Sequence, residues 1–262
     1  MVTIRYEGRL ANNIIQYIVG YFLAKKYNLK LITNPPIQHE SLFFLDLNNE
    51  LIGDNYISIN DNNWLDFVFE EKEILQPHFH LEGFFNQRKF FEFFENEIKK
   101  DIVIKYNPLI DKEDLIIHYR IGDIVNDRRM LPLEYYYEAI DSVKYKKGYI
   151  TSDSLNHEFC LNLIEKYNLT PINLNPVDTI VFCKNFNKII LSEGTFSWVI
   201  GFFSQANEII CNSRWGLWHG DIFFDKWKQL NWDYNLNSVY DRIRLKRYEP
   251  IRFNDKIGKI NS

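Results

Sequence analysis

Short apolar runs and amphipathic segments alternate along most of the chain. Near the start, an apolar-rich run at residues 2–6 predicts a strand, and residues 13–26 carry Ile, Val, Phe and Leu at the spacing of one broad helix face. From residue 114 onward, short apolar runs are followed in turn by amphipathic segments, which is typical of an α/β domain with a parallel sheet. In that region we predict strands at 115–117, 148–151, 171–174, 188–191 and 208–211, and helices at 133–143, 155–166, 179–184 and 195–204.

The first hundred residues are less regular. A second strand is predicted at 30–32 and a helix rich in Phe at 84–100, whereas residues 40–80 are predicted to be irregular because Asn and Asp form turn clusters there. Two small α/β halves, joined near the Asn107-Pro108 pair, are therefore expected. We place them at residues 1–112 and 113–213, followed by a Trp-rich tail at 214–262 that packs back on the body.

Composition and charge narrow the function classes. The 262 residues are 46% hydrophobic and 25% charged, the proportions of a folded globular protein rather than a disordered one. The net charge of -4 and the pI of about 5.9 argue against broad binding to duplex nucleic acid, which needs a basic face. Aromatic residues make up 16% of the chain, which fits either stacking surfaces or a core built from Phe and Tyr.

The cysteines and the lengths of the apolar runs indicate the cellular compartment in which the protein is expected. Cys160, Cys183 and Cys211 lie in or beside apolar runs, so we expect buried free thiols rather than a disulfide framework. The chain does not start with a basic segment followed by an apolar one, and no apolar run approaches the roughly 18 residues that a membrane span needs. A soluble, cytoplasmic protein without a membrane span is therefore expected.

One cluster of polar residues lies where the strand that starts at Leu115 ends. It consists of His118, Arg120, Gly122 and Asp123. Open α/β sheets bind ligands at the carboxyl ends of their strands. Arg120 carries a planar, permanent charge that suits phosphate oxygens, and Asp123 could hold that guanidinium in place. A salt bridge at the strand end, without any ligand, explains the same spacing equally well.

Two further loops carry polar residues at strand-to-helix corners. Ser192 and Thr195 follow the strand at 188–191, and Thr195 is expected to cap the next helix, whose free N–H groups could face an anion. In the opening loop, Gly8 permits an unusual turn and Asn12 could cap the helix that follows. Helix capping without any ligand is the alternative explanation for both loops.

Taken in order, the three loops resemble motifs of the α-1,2-fucosyltransferases and of their relatives, the α-1,6- and protein O-fucosyltransferases. The family's opening Gly-x-Leu-Gly-Asn-Gln loop is similar to residues 8–13, and its His-x-Arg-x-Gly-Asp motif is matched in full by residues 118–123. Its Ser-x-x-Thr-Phe-Ser-Trp-Trp block is similar to residues 192–199. A shorter agreement is Ser152-Asp153, and the resemblance covers the chain from about residue 3 to residue 211.

The resemblance implies a GT-B-like fold with two Rossmann-type halves and a cleft between them. GDP-fucose would bind to the second half, residues 113–213, and the acceptor would enter from the first half, residues 1–112. It implies an inverting glycosyltransferase that moves L-fucose from GDP-fucose to the 2-hydroxyl of a galactose-like residue in a glycan acceptor. By the same comparison, Arg120 grips the diphosphate and stabilises the departing GDP, His118 and Asp123 lie around it, and Asn12 approaches from the opposite wall. The resemblance further assigns to the donor site Gly122, Asp153, Ser192, Thr195, Phe196 and Ser197.

Departures from the family pattern concern substrate choice. Ala11 and Asn13 replace the usual Gly and Gln, and Val199 replaces a second Trp. We expect these side chains to line acceptor or donor surfaces. Phe196, Trp198 and the tail tryptophans could line the cleft as well, because sugars stack on aromatic rings.

No cofactor and no metal ion is expected. The chain has no Asp-x-Asp motif, which metal-dependent glycosyltransferases use to hold Mn²⁺ on the diphosphate, and Arg120 can play that charge role. His78 and His80 share one face of an extended segment, but no third ligand is near in sequence, so we interpret the pair as structural.

Three questions stay open at the level of sequence. Asp127, Glu7 and Glu82 are candidates for a general base, and none is assigned. The same scaffold could use another nucleotide sugar, such as a rhamnosyl donor, or it could be a non-catalytic module that binds a nucleotide or a glycan. Neither the acceptor nor the oligomeric state is specified.

Overall fold

The computed structural model describes residues 1–33, 55–71, 74, 77–102, 110–122, 124, 130–212 and 222–232. Within these residues the chain forms two parallel β-sheets and eight α-helices, an arrangement compatible with a Rossmann-like fold. The predicted α/β class is therefore confirmed. No helix in these ranges has the length and apolar character that crossing a membrane takes.

Four short strands build the first sheet, and all of its pairings are parallel. The carboxyl ends of the strands therefore lie at one edge. The strands are β1 (Val2–Arg5), β2 (Leu31–Ile32), β3 (Ile57–Asn60) and β4 (Phe79–Glu82), in the order β2-β1-β4-β3. The helices of this half are α1 (Leu10–Lys26), α2 (Trp64–Phe69), α3 (Arg88–Phe93) and α4 (Glu95–Asp101).

The register of the first sheet separates an apolar face from a polar one. Ile4 pairs with Leu81, and Leu81 pairs with Ile59, so three buried aliphatic side chains share one face. α1 packs on β1 at this face. A Cβ on Gly20 of α1 would lie 2.6 Å from the Ile4 Cδ1, so the absence of a side chain lets the helix approach the sheet closely.

Six parallel strands build the second sheet, and its central strand, β5, is buried at all five positions. The strands are β5 (Leu115–Tyr119), β6 (Gly148–Ser152), β7 (Thr170–Ile172), β8 (Lys188–Ile190), β9 (Glu208–Asn212) and β10 (Lys228–Leu230), in the order β10-β9-β8-β5-β6-β7. The helices are α5 (Leu133–Asp141), α6 (Glu158–Tyr167), α7 (Pro176–Cys183) and α8 (Thr195–Phe203).

The predicted strands and helices agree with the structure in the second half of the chain but not throughout the first. Every strand and helix predicted between residues 115 and 211 is present. The prediction that residues 40–80 are irregular is wrong for the described part, because β3, α2 and the start of β4 lie there. The single helix predicted at 84–100 is wrong as well, since α3 and α4 are separated by Phe94, which ends one helix and begins the other.

One apolar core includes residues of both sheets and of helices beside each sheet. The rings of Phe91 and Trp198 lie 4.5 Å apart between centroids, and those of Trp198 and Phe202 lie 4.6 Å apart. Both Trp198 and Val199 are 0% exposed, so they are core residues and do not line a cleft as predicted. The three cysteines are free and buried, as expected.

The described part of the tail belongs to the body of the protein. β10 pairs with β9 and extends the second sheet at its edge. Trp227 is buried against the rings of Phe223 and Phe224, and Trp232 Nε1 donates a hydrogen bond to Glu138 Oε2 at 2.8 Å. Trp227 therefore does not line a cleft either. Trp215 and Trp218 lie outside the described residues, as does the predicted Asn107-Pro108 connection.

Candidate functional site

The carboxyl ends of β5 and β8 form the edge at which two of the predicted motifs meet. The two strands are direct neighbours and run in parallel. His118 is the fourth residue of β5, Arg120 directly follows that strand, and Ser192 follows β8 by two residues. The fold therefore brings both motifs to the edge where open α/β sheets bind their ligands.

Asp153, which follows β6, holds the turn after β5. Its Oδ1 accepts hydrogen bonds from the backbone N–H groups of Ile121 at 2.9 Å and of Gly122 at 3.1 Å. A Cβ on Gly122 would lie 2.7 Å from Asp153 Oδ2, so glycine allows the turn to close onto the carboxylate. Asp153, predicted to contact the donor, thus shapes the segment that carries Arg120.

The Arg120 side chain lies against the loop between β8 and α8. Gly194 in that loop has a φ of 103°, a conformation that strongly favours glycine. Any Cβ at Gly194 would collide with Arg120 Nη1. Gly194 thus has a function in the site that the sequence analysis did not assign. Asp123, the predicted partner of Arg120, lies outside the described residues.

The N-terminus of α8 is not capped by a side chain. Gly194 is the N-cap residue, and Thr195 is the first residue of the helix, so the prediction that Thr195 is the N-cap is wrong. The first backbone N–H groups of a helix have no acceptor within the helix, and they carry a partial positive charge. The Arg120 guanidinium lies beside this end of α8, so both sources of positive potential are on the same side of the sheet edge.

Asn12 connects the opening loop to the first residue of α8. Thr195 Oγ1 donates a hydrogen bond to Asn12 Oδ1 at 2.8 Å across 183 residues of sequence. Asn12 does not cap α1 as predicted, because the N-cap of that helix is Arg9, without a side-chain hydrogen bond. Gly8 has a φ of 76°, which confirms the predicted unusual turn in the opening loop. The structure thus places the opening loop beside the N-terminus of α8.

Buried polar groups lie next to the Arg120 loop. Ser192 Oγ and the Tyr136 hydroxyl are enclosed, and neither forms a hydrogen bond of ordinary geometry with the described residues. Burial raises the pKa of Tyr136 well above its ordinary value, and the nearby Ser192 hydroxyl opposes that rise. Glu193 is also buried, and its Oε1 accepts a hydrogen bond from Asn212 Nδ2 at 3.1 Å.

His118 contacts the first turn of α8. Its Nδ1 lies 2.6 Å from Ser197 Oγ, and its ring lies 5.3 Å from the ring of Phe196 between centroids. Burial, and secondly the charge of Arg120, lower the pKa of His118 to about 3, so the imidazole is neutral near pH 7. Ser197 is 0% exposed, so its hydroxyl serves His118 rather than an open donor surface as predicted.

The positions that depart from the family pattern are enclosed. Ala11 and Asn13 are both buried. The Asn13 amide donates hydrogen bonds to the backbone carbonyl of Glu7 at 3.0 Å and to Gln16 Oε1 at 3.2 Å. These side chains, like Val199, therefore support the loop and core instead of lining a substrate surface as predicted, because α1 and α8 are buried on most of their surface.

The two histidines of the first half share a threonine. Thr3 Oγ1 lies 3.1 Å from His78 Nε2 and 2.8 Å from His80 Nδ1, and burial lowers the pKa of both imidazoles. Across the part of the chain that the structure describes, His, Cys, Asp and Glu side chains form no group of three or more that could hold a metal ion. The hydrogen bonds around Thr3 give the pair a structural role in the first sheet.

Of the candidate general bases, two are engaged in ion pairs. Glu7 Oε1 lies 3.6 Å from Arg5 Nε, and Glu82 Oε1 lies 3.5 Å from Arg5 Nη1. Glu82 also lies 3.6 Å from His80 Nε2. Asp127 is outside the described residues, so no carboxylate is assigned this role.

Comparison with known proteins adds no further assignment. No protein-family model matches the chain, and no curated protein sequence matches it. The case for a function therefore depends on the geometry of the site and on the motif resemblance.

Proposed function

We propose that the chain is an inverting glycosyltransferase of the GT-B type, which transfers L-fucose from GDP-fucose to a hydroxyl of a glycan acceptor. The observation that carries the proposal is the Arg120 guanidinium beside the uncapped N-terminus of α8. A permanent charge and free backbone N–H groups together favour an anion with several oxygens, such as a diphosphate. The motif resemblance supplies the identity of the nucleotide and of the sugar.

The same geometry suits the chemistry of inversion. The acceptor hydroxyl attacks the anomeric carbon opposite the departing GDP, so negative charge grows on the diphosphate as the glycosidic bond breaks. Arg120 and the N-terminus of α8 would stabilise that charge without rearranging. Asn12, which is hydrogen-bonded to Thr195, belongs to the half that would hold the acceptor. Binding both substrates in line would supply much of the acceleration.

Nucleotide binding tests the class of donor. Thermal unfolding is measured with GDP, UDP and dTDP, because a ligand at 100 times its Kd adds about 2.7 kcal/mol to the stability of the folded state. We expect GDP to raise the Tm most. A rise with dTDP but not with GDP would favour the alternative rhamnosyl-type donor.

Arg120→Ala tests the site itself. Losing charge-assisted hydrogen bonds is expected to weaken GDP binding about 100-fold, measured by calorimetry, while the Tm of the free protein changes little. Arg88→Ala is the matched control, because it removes another arginine, one on α3 that is paired with Asp225. GDP binding that is unchanged in Arg120→Ala would overturn the site assignment.

Turnover separates an enzyme from a binding module. Free GDP is measured after incubation with GDP-fucose, with and without a galactoside, and the product is analysed by mass spectrometry. Acceptor-dependent release with a fucosylated product is expected, whereas binding without turnover would identify a module. EDTA is expected to leave the rate unchanged, and inhibition that Mn²⁺ reverses would contradict a scheme without a metal.

A further inference from the structure

The side-chain amide of Asn212 joins the tail of the chain to the second sheet at the point where strand pairing ends. β10 pairs with β9 as far as Leu230, which lies opposite Asn212. Beyond that pair, the backbone N–H of Trp232 donates a hydrogen bond to Asn212 Oδ1 at 2.9 Å, and Asn212 Nδ2 donates one to the Trp232 carbonyl oxygen at 3.1 Å. The amide therefore pairs with residue 232 in place of another strand residue.

The same amide holds the loop between β8 and α8. Asn212 Nδ2 also donates a hydrogen bond to Glu193 Oε1 at 3.1 Å, so the amide has two acceptors for its nitrogen and one donor for its oxygen. Rotating the amide by 180° would place its oxygen opposite both acceptors, so these contacts fix its orientation. Asn212 and Glu193 are both buried, and a buried polar group that loses its partner is costly.

Glu193 directly precedes the residue against which Arg120 lies. The backbone of Gly194 is so close to Arg120 Nη1 that no Cβ fits between them. The carbonyl oxygen of Gly194 also accepts the first backbone hydrogen bond of α8, from Trp198 at 3.1 Å. A displacement of Glu193 would therefore change both the surface under Arg120 and the start of α8.

We propose that Asn212 is a positioning residue, through which the tail sets the conformation of the Glu193–Gly194 loop and thereby the affinity of the Arg120 site for a diphosphate. The inference rests on the proposed function for the identity of the ligand. It gives residues 228–232, which lie beyond the motif resemblance, a role in donor binding that is exerted through the loop. A loop that adopts the binding conformation for only a fraction of the time lowers the apparent affinity by that fraction.

Hydrogen exchange reads the loop without any ligand. The backbone amides of residues 192–199 are followed by mass spectrometry in the wild type, in Asn212→Ala and in Asn185→Ala. Asn185 is the matched control, because its amide donates hydrogen bonds at 2.8 and 3.1 Å to two backbone carbonyl oxygens near the end of α7, beside the opposite end of β8. We expect exchange of this segment to be about tenfold faster in Asn212→Ala alone. Unchanged exchange there would overturn the proposal.

Anion binding then tests the consequence. Inorganic pyrophosphate and GDP are titrated by calorimetry at a temperature at which circular dichroism shows every variant to be folded. Asn212→Ala is expected to bind both about tenfold more weakly, because its loop is less often in the binding conformation. Trp232→Phe keeps the backbone groups that pair with Asn212 and is expected to bind both as the wild type does. Equal pyrophosphate affinity in the wild type and Asn212→Ala would overturn the proposal.

A charge exchange separates positioning from a merely structural role. Asn212→Asp places a carboxylate against Glu193 and is expected to weaken pyrophosphate binding more than Asn212→Ala does. Adding Glu193→Gln removes that repulsion, and we expect it to raise the affinity more in the Asn212→Asp background than in the wild type. Equal gains in both backgrounds would show that the two residues are not coupled and would overturn the proposal.

The two measurements also distinguish this proposal from the proposed function. Failure of pyrophosphate and of every nucleotide to bind the wild type would overturn the proposed function and the ligand half of this proposal. Faster exchange of residues 192–199 in Asn212→Ala would support the hold of Asn212 on the loop in either case.

Discussion

His118 combines a polar side chain with a buried position next to a permanent charge. Neutral imidazole tolerates this environment, but imidazolium does not, because burial removes its hydration and Arg120 repels it. The same two causes that lower its pKa to about 3 make the stability of the whole protein depend on pH. The buried Nδ1 lies 2.6 Å from Ser197 Oγ, within hydrogen-bond distance.

The pH dependence has a definite sign. In the unfolded chain His118 has an ordinary pKa of about 6.5, so between pH 6.5 and 3 the unfolded state binds one more proton than the folded state. The contribution of His118 to the free energy of unfolding is therefore complete above pH 6.5 and falls by about 1.4 kcal/mol per pH unit below it. We expect the stability difference between wild type and His118→Asn to shrink at that rate from pH 6 to pH 4.

Urea unfolding at pH 4, 5, 6 and 7 measures this difference. Comparing two proteins that differ only at His118 cancels the contributions of the carboxylates and of the other histidines. A stability difference that stays constant from pH 6 to pH 4 would show that the folded state does not depress the pKa of His118.

The contacts of single site residues could not be predicted from the sequence. The sequence indicated that hydroxyls at 192, 195 and 197 follow a buried strand and could meet a ligand. Which of them faces outward depends on partners far along the chain: His118 is 79 residues from Ser197, and Asn12 is 183 residues from Thr195. Gly194 is similar, because its φ of 103° and the position of the Arg120 side chain, which together disfavour a Cβ there, are seen only in the structure.

Secondary-structure elements were predictable where their apolar pattern was long enough. β5, β8 and β9 of the second sheet are largely buried on both faces, so they stand out as apolar runs between the helical segments. β3 has only four residues, alternates Ile with Ser and Asn, and lies beside a turn that is rich in Asn. α2 has six residues and is too short to form on the strength of its own sequence.

α2 is held by a side chain from another helix. Lys26, the last residue of α1, donates hydrogen bonds from Nζ to three backbone carbonyl oxygens at and after the end of α2. These belong to Phe67 at 2.9 Å, Val68 at 2.9 Å and Glu70 at 2.5 Å. A cation at the C-terminus of a helix also opposes the negative end of its dipole.

Lys26→Met is therefore expected to lower the free energy of unfolding by about 1 to 2 kcal/mol, because three backbone carbonyl groups, of which that of Val68 is partly buried, lose a charged donor. Lys25→Met is the matched control on the same helix turn, since Lys25 makes exposed ion pairs with Glu97 and Asp101 that are worth about 0.2 to 1 kcal/mol. Urea unfolding gives both values. Hydrogen exchange should show faster opening of α2 in Lys26→Met alone, and equal effects of the two substitutions would contradict this assignment.

At the scale of the whole molecule, two sheets share one apolar core. Phe91 of α3 and Trp198 of α8 are both fully buried, and α1 packs against α8 close to the hydrogen bond between Asn12 and Thr195. Interfaces between independent domains are usually more polar than this contact. The sequence indicated two halves, but the depth of their contact depends on which helix faces meet, and no local pattern encodes that.

We expect the two halves to unfold together, because neither can expose the Phe91–Trp198 contact without losing much of its own core. Differential scanning calorimetry should show one transition whose calorimetric and van't Hoff enthalpies agree.

Phe91→Ala is expected to lower the free energy of unfolding by about 3 to 5 kcal/mol and to lower the Tm of that single transition. Phe93→Ala is the matched control on α3, because that ring is 71% exposed and its loss should cost less than about 1 kcal/mol. Two resolved transitions in the wild type, of which Phe91→Ala shifts only one, would show instead that the halves are independent domains.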